Sequence, residues 1–317
     1  DYIYHFLAQD YAGNLSQPAS GVITITHDTT PPVTELVVGS PNYGAPPIFV
    51  DSTTLFTLNV SDDISGVKVT HYYTDLEGEE ILAPNELPYD FKLSYSDGKH
   101  YIVYFSEDSV GNIESPKCDT FRFDNTAPIT YTVMGEPKYF NGKLYLTSST
   151  DVNIITQDPV VNSVASGIDG FEYRLWVAGT TPVFGWQWVD NTSTQFNITG
   201  EDNEYKLEYR ARDNLGHTES IKDTIVYLDN TEPMSSIAFG TPSYMDDENN
   251  LFITQNTGIN LTTYDPVING VASGIEEFSY KILQNGNELT SYTTTGTSMN
   301  FTMDGFADGE YVIEYFA

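Results

Sequence analysis

The sequence predicts an all-β protein made of tandem antiparallel β-sandwiches, and three observations carry this prediction. Apolar and polar residues alternate with a period of two, which is the pattern of a strand with one buried face. Short strings of residues recur in a fixed order along the 317-residue chain. One string starts at Asp28, Asp124 and Asp229, so it returns after 96 and then 105 residues, the size of one immunoglobulin-like domain. The expected fold class is therefore a series of immunoglobulin-like antiparallel β-sandwiches in an elongated array.

The alternation is clearest over 205–211, where Tyr205, Leu207 and Tyr209 alternate with charged residues. Matching patterns run from Tyr2 to Ala8 and from Ile102 to Ser106, so the same face is expected to be buried in each module. Further strands, rich in β-branched and aromatic residues, are predicted over 144–157, 170–177, 184–189, 193–199 and 220–228. About seven strands per module without helical periodicity are typical of a sandwich.

Three recurrent strings mark the modules. The first is an Asp-x-x-Gly turn that starts at Asp10, Asp108 and Asp213. The second is a linker, DTTPP, DNTAP or DNTEP, that starts at Asp28, Asp124 and Asp229. The third is an acidic loop that ends in Ser-Gly-Val or Ser-Gly-Ile and carries Asp62 and Asp63, then Asp158, then Asp265.

The register of these strings sets the expected domain boundaries. Residues 1–28 hold the last strands of one module, residues 29–124 and 125–229 form complete modules, and residues 230–317 form a module that lacks its last strand. A sandwich without its last strand would expose a central edge, which natural proteins avoid. Further modules are therefore expected on both sides.

Composition narrows the class of protein. Hydrophobic residues make up 39% of the chain and aromatic residues 14%, enough to form folded cores. The formal net charge of −32 would repel nucleic acid and attract cations, although a strongly solvated surface is an alternative explanation of that charge. Cys118 is the single cysteine, which excludes an intrachain disulfide. No apolar run is long enough to span a membrane in this region.

The strings resemble a known family of repeats. The match consists of the acidic loop with its Ser-Gly, a tyrosine six residues after that glycine, the Asp-x-x-Gly-Asn turn and the linker; the tyrosines are Tyr72, Tyr173 and Tyr280. Together they resemble the bacterial and archaeal Ig-like surface repeats, the Big-type tandem modules of adhesins and S-layer-type proteins. The resemblance covers essentially the whole chain and implies an extracellular structural role. His217 departs from the pattern, since the turn otherwise ends in asparagine.

Strand order in an immunoglobulin-type topology brings the three strings to one end of each sandwich. Converging carboxylates repel one another unless a hard cation neutralises them, and calcium accepts six to eight oxygen ligands with loose geometry. The predicted calcium ligands are Asp28, Asp62, Asp63 and Asp108 at the first junction, Asp124, Asp158 and Asp213 at the second, Asp229 and Asp265 at the third, and Asp10 in the first turn. The resemblance points the same way, because related repeats carry interdomain calcium. The alternative is that each aspartate only caps its own turn.

Other features of the sequence carry weaker hypotheses. Six Asn-x-Ser/Thr sequons are candidate glycosylation sites: Asn14, Asn59, Asn191, Asn197, Asn260 and Asn300. Asn59 and Asn260 lie in predicted strands. Trp186 and Trp188 could form a platform for stacking sugars, although tryptophans at alternate strand positions more often belong partly to the core. The five histidines have no metal-ligand spacing, and no motif of a catalytic nucleophile or a phosphate-binding loop is present.

The sequence therefore favours a non-catalytic, extracellular or cell-surface region that serves as a spacer, a stalk or a lattice element. Its expected partners are neighbouring modules of the same chain, copies of itself and glycans, with no nucleic acid. Two alternatives remain open. One is a set of accessory modules of an exported protease or glycosidase, and the other is a carbohydrate-binding adhesin.

Overall fold

The computed structural model describes residues 2–75, 81–83, 88–178 and 181–317. All the named secondary-structure elements in these ranges are β-strands, and most strand pairs are antiparallel. This confirms the all-β sandwich fold class. Among the described residues, no helix is long and apolar enough to cross a membrane. The chain forms two compact units, one of Asp1–Thr126, Pro159–Ser166 and Asn214–His217, the other of Ala127–Asp158, Gly167–Asp213 and Thr218–Ala317.

The first unit contains eleven strands among its described residues. They are β1 Tyr2–Phe6, β2 Ala19–Ile23, β3 Val33–Val38, β4 Asn42–Tyr43, β5 Phe49–Val50, β6 Phe56–Ser61, β7 Val67–Thr74, β8 Ile81–Ala83, β9 Tyr89–Phe91, β10 Gly98–Asp108 and β11 Lys117–Phe123. Strands β1 and β2 form a two-stranded sheet, and β3–β6–β9 form a three-stranded sheet. The third sheet has six strands in the order β4–β5–β11–β10–β7–β8.

The core of the first unit lies between its two larger sheets. Phe56 and Leu58 on β6 pack against Ile102 on β10 and Phe123 on β11, and all four are fully buried. The long strand β10 buries every second residue from Ile102 to Asp108, as its alternation predicts. Strand β1 differs from the prediction: Tyr2 and Phe6 are 68% and 59% exposed, because β1 pairs only with β2 and no second sheet is described over that face.

The second unit contains seventeen strands among its described residues. They are β12 Ile129–Met134, β13 Lys138–Phe140, β14 Leu144–Leu146, β15 Asp151–Gln157, β16 Ile168–Val177, β17 Thr181–Val189, β18 Ser193–Asn197, β19 Asn203–Asp213, β20 Lys222–Leu228, β21 Met234–Phe239, β22 Ser243–Met245, β23 Leu251–Ile253, β24 Ile259–Tyr264, β25 Phe278–Gln284, β26 Asn287–Thr294, β27 Ser298–Phe301 and β28 Val312–Phe316.

Two sandwiches follow one another in this unit. In the first, the sheet β12–β15–β18 faces the sheet β13–β14–β20–β19–β16–β17 across a core that includes Phe171, Leu207 and Leu228. In the second, β21–β24–β27 faces β26–β25–β28, with Phe278 and Ile282 at its centre. The predicted tyrosines Tyr173 and Tyr280 lie half-buried against these cores.

One predicted strand is wrong in extent. The segment 144–157 is not continuous, because residues 147–150 form a turn in which the Thr150 amide donates to the Thr147 carbonyl at 3.0 Å. Before the turn, β14 pairs in parallel with β20; after it, β15 pairs with β12 in the other sheet. The Thr150 hydroxyl donates to the Pro137 carbonyl, so the turn carries the chain from one sheet to the other.

Candidate metal centre at the module junctions

Each Ser-Gly string binds two aspartates through consecutive backbone amides. In the second unit the Ser273 amide donates to Asp229 Oδ2 at 2.6 Å, and the Gly274 amide donates to Asp265 Oδ2 at 2.7 Å. Gly274 has a φ of 92°, a left-handed conformation that glycine adopts without steric cost and that lets successive amides point at an anion. The string therefore holds a linker carboxylate and a loop carboxylate side by side.

The first unit repeats this arrangement. The Ser65 amide donates to Asp28 Oδ2 at 3.0 Å and the Gly66 amide to Asp62 Oδ1 at 2.6 Å. Carboxylate oxygens of Asp28, Asp62 and Asp63 lie within 4.8 Å of one another. Hydrogen bonding to Ser65 is the main cause that lowers the pKa of Asp28. Three of the predicted ligands of this junction are thus brought together.

The residues predicted at the middle junction belong to two units. In the first unit, the fully buried Asp124 accepts a hydrogen bond from the Ser166 amide at 2.6 Å. In the second unit, Asp158 accepts one from the Gly167 amide at 2.7 Å, and Asp158 and Asp213 have carboxylate oxygens within 4.8 Å of each other.

In the pair of Asp229 and Asp265, and at Asp62, the amides leave one carboxylate oxygen without a hydrogen bond from the described residues. Asp229 Oδ1, Asp265 Oδ1 and Asp62 Oδ2 are buried and accept no hydrogen bond from the described residues, and Asp229 is only 8% exposed. Burial raises the pKa of Asp265, and the carboxylates of Asp229 and Asp202 raise it further, against the lowering effect of the Gly274 amide. Buried carboxylate oxygens without donors suit an oxygen-seeking divalent cation, so these residues fit calcium.

Asp108 and Asp10 differ from the junction pairs in their hydrogen bonds. Asp108 Oδ1 accepts hydrogen bonds from the amides of Val110, Gly111 and Asn112, and its Oδ2 accepts one from Asn112 Nδ2. Asp10 binds its own turn through Asn14 in the same way, and hydrogen bonding to that side chain is the main cause that lowers its pKa. Both oxygens are therefore used within the turn, and Asp108 is not one of the three residues of the Asp28 group.

Four buried acidic residues escaped the sequence analysis. Asp97 and Asp202 accept the amides of the linker residues Asn125 and Asn230. Glu114 and Glu219 each accept backbone amides from two strands. All four are at most 9% exposed. Two further strings could have revealed them: an aspartate that recurs at Asp97, Asp202 and Asp308, and Glu-Ser-x-Lys at residues 114–117 and 219–222.

The sequons lie mostly on the surface. Asn14, Asn59, Asn191, Asn197 and Asn300 are exposed and Asn260 is half-buried. Asn59 and Asn260 lie within strands β6 and β24, as expected. Nδ2 of Asn14 and of Asn197, the atom that would carry a glycan, donates hydrogen bonds to Asp10 and to the Thr150 carbonyl.

The two tryptophans considered as a sugar platform already have partners. Arg174 lies over the ring of Trp186 at 4.4 Å and Arg210 lies over the same ring at 5.2 Å. Arg212 lies over Trp188 at 4.8 Å, and Trp188 remains 47% exposed. These cation–π contacts join β16, β17 and β19 on the outer face of their sheet.

Comparison with known proteins adds little to this geometry. No family model matches the chain, and no curated protein matches it. Among solved structures, the FN1–FN3 domains of chicken CNTN1 align over 84% of this chain and 89% of theirs, at 11% sequence identity and a TM-score of 0.28. A likeness at that level carries no argument about this chain. The fold therefore rests on the strand pairing itself.

Proposed function

We propose that the chain is an extracellular structural repeat region of a large cell-surface protein, in which calcium occupies the acidic junctions between modules. The observation that carries the proposal is the repeated pair of aspartates bound by one Ser-Gly string, with buried oxygens left over in Asp229, Asp265 and Asp62. The resemblance of the strings to surface repeats supports the location. The role is that of a spacer, a stalk or a lattice element, and it requires no catalytic group.

A comparison within the chain favours calcium over simple turn capping. A capping aspartate such as Asp246 has both oxygens bonded inside its own turn, because its Oδ1 accepts the amides of Glu248 and Asn250 and its Oδ2 accepts Asn250 Nδ2. In the pair of Asp229 and Asp265, by contrast, each carboxylate accepts one amide of the Ser-Gly string and keeps a buried oxygen that accepts no hydrogen bond from the described residues. A buried anionic oxygen without a partner is costly, and a bound divalent cation would remove that cost.

Calcium would contribute chemistry that these loops lack. It would neutralise the carboxylates of Asp229 and Asp265 and connect a linker residue to a loop residue of the following module. Since the ion would bind the folded junction and not the unfolded chain, it would stabilise the fold by ligand linkage. The loops place the two carboxylates before any ion binds, because the Ser273 and Gly274 amides already hold them side by side.

The test is a calcium titration of the full chain by calorimetry, with chelated protein as reference. At a free calcium concentration about one hundred times Kd, linkage should stabilise the junction by about 2.7 kcal/mol. Asp229→Asn should remove most of the response at its junction. Asp246→Asn is the matched control, because it weakens a turn of the same module and should leave the calcium response intact. Identical melting curves with calcium and with chelator would contradict the metal proposal.

A further inference from the structure

A second pair of aspartates, Asp97 and Asp202, binds the linker residues that follow those bound by the Ser-Gly strings. Asp202 precedes β19 directly and is 4% exposed. Its Oδ1 accepts a hydrogen bond from the Asn230 amide at 2.7 Å, and its Oδ2 accepts the Thr231 amide at 3.1 Å and the Thr231 hydroxyl at 2.5 Å. One carboxylate therefore receives three donors from two consecutive linker residues.

Asp97 binds the linker 124–126 in a similar way. Its Oδ1 accepts hydrogen bonds from the Asn125 amide at 2.8 Å and from Asn125 Nδ2 at 2.9 Å, and its Oδ2 accepts the Thr126 hydroxyl at 2.5 Å. Burial acts to raise the pKa of Asp97, but the hydrogen bonds from Thr126 and Asn125 outweigh it and hold the pKa below its ordinary value. The two copies lie in different units and share two contacts: the asparagine amide donates to Oδ1, and the threonine hydroxyl donates to Oδ2.

The carboxamide of Asn125 is bound through both its oxygen and its nitrogen, and that of Asn230 is bound through its oxygen. Asn230 Oδ1 accepts a hydrogen bond from the Ser148 amide at 2.7 Å, and Asn125 Oδ1 accepts one from the Ser52 amide at 2.8 Å. Asn125 Nδ2 also donates to the Tyr95 carbonyl at 3.1 Å. A site with a donor for the carboxamide oxygen and acceptors for its nitrogen selects asparagine over aspartate.

The acidic loop makes a further contact with the backbone of each of these aspartates. Asn269 Nδ2 donates to the Asp202 carbonyl at 2.9 Å, and Asn162 Nδ2 donates to the Asp97 carbonyl at 2.8 Å. Each asparagine is the first residue of a tight turn in the acidic loop that ends in the Ser-Gly string. The aspartate segment thus contacts both the linker and the loop that follows it.

We propose that the loop that carries Asp97, Asp202 or Asp308 is a binding site for an Asp-Asn-Thr peptide segment. Asp97 binds the linker 124–126 and Asp202 binds the linker 229–231. Asp308 offers the same site to such a segment of another repeat. The loop around Asp308 shares one hydrogen bond with the loop around Asp202: Tyr311 Oη donates to the Ala307 carbonyl at 2.8 Å, as Tyr205 Oη donates to the Glu201 carbonyl at 3.0 Å. Asp308 itself is exposed. The site needs no metal, so it does not depend on the calcium proposal.

The first experiment measures amide hydrogen exchange of the full chain in the presence of a chelator, which keeps it separate from any effect of calcium. In Asp202→Asn, the amides of Asn230 and Thr231 should exchange at least about tenfold faster, because one would face the carboxamide nitrogen and the other would keep only a neutral acceptor. Asp304→Asn, at an exposed aspartate outside the proposed site, is the control and should leave both rates unchanged. Since Asp202→Asn changes a buried residue, Asn230→Asp is the second variant; it alters only an exposed linker residue and adds a carboxylate to the residue whose backbone amide Asp202 accepts.

Unchanged exchange at residues 230 and 231 in both variants, with the fold retained, would overturn the assignment of Asp202. The second experiment titrates the isotope-labelled chain with a peptide of the sequence LDNTEP, residues 228–233, at millimolar concentration. Chemical-shift changes should concentrate around Asp308, should be lost in Asp308→Asn, and should be smaller with the peptide LDDTEP. Equal shifts with both peptides, or none with either, would overturn the assignment of Asp308.

Discussion

Two neighbouring residues of the acidic loop show how a single side chain alters the cost of a turn. Val161 and Val164 exchange backbone hydrogen bonds of 2.9 Å around Asn162 and Ser163. Both central residues have positive φ, 47° and 65°, which is the type I′ hairpin turn. The matching turn of the following module uses Asn269 and Gly270, and Gly270 has a φ of 81°. Ser163 therefore adopts, at a cost in free energy, a left-handed conformation that glycine adopts without one.

At residue scale we therefore expect Ser163→Gly to stabilise the chain. Relief of the left-handed strain should exceed the added flexibility of glycine in the unfolded chain, with a net gain of about 0.5–1 kcal/mol. Gly270→Ser is the reverse exchange at the equivalent position and should cost a similar amount. Calorimetry of both variants in chelator measures the two effects. A loss of stability on Ser163→Gly would contradict this interpretation of the turn.

At the scale of elements, a buried glutamate joins strands of opposite sheets. Glu219 Oε1 accepts the Ala211 amide of β19 at 2.9 Å, and its Oε2 accepts the Thr130 amide of β12 at 3.1 Å. Lys222 Nζ lies 2.8 Å from Glu219 Oε2 and donates to the Thr130 carbonyl at 2.9 Å. Glu114 and Lys117 make the corresponding contacts in the first unit. The string Glu-Ser-x-Lys thus fixes β12 across the sandwich.

We expect Glu219→Gln to destabilise this sandwich by about 3 kcal/mol, because one carboxamide nitrogen would face a backbone donor and Lys222 would lose its charged partner. All three tryptophans of the chain lie at 176–188, so urea unfolding followed by tryptophan fluorescence reports on this sandwich alone. Glu114→Gln is the matched control, since it makes the same change in the first unit. Equal shifts of the fluorescence transition in both variants would contradict a local role.

At the scale of the whole molecule, strands with a locally patterned buried face could be predicted from the sequence, whereas contacts between distant segments could not. The alternation at Tyr205 and Leu207 predicts β19 because a strand with one buried face requires a period of two. The same alternation at Tyr2 and Phe6 wrongly predicts a buried face, because burial also requires a second sheet over the strand. The bond from Asp202 to Asn230 spans 28 residues, and no local pattern reports which linker a loop will meet.

Two aspartates predict opposite pH dependence in the metal-free chain. The pKa of Asp265 is raised above 3.8, chiefly by burial and then by the carboxylates of Asp229 and Asp202, so its ionised form opposes folding above the folded-state pKa. That penalty disappears as the pH falls through this pKa. The pKa of Asp97 is lowered despite burial, by hydrogen bonds from Thr126 and Asn125. Its contribution favours folding above the unfolded-state value and is lost as the pH falls through the lowered pKa.

In chelator at pH 7, Asp265→Asn should therefore be more stable than the parent chain, and Asp97→Asn should be less stable. Both differences should shrink as the pH falls towards 3, because Asp265 takes up a proton in the folded chain and Asp97 takes one up first in the unfolded chain. With calcium present, the advantage of Asp265→Asn should reverse, because the amide supplies one neutral oxygen where the ion would have a carboxylate. The measurement is urea unfolding from pH 3 to pH 8, with Asp304→Asn, an exposed aspartate, as the control. A destabilised Asp265→Asn in chelator would mean that the carboxylates of this junction do not repel one another.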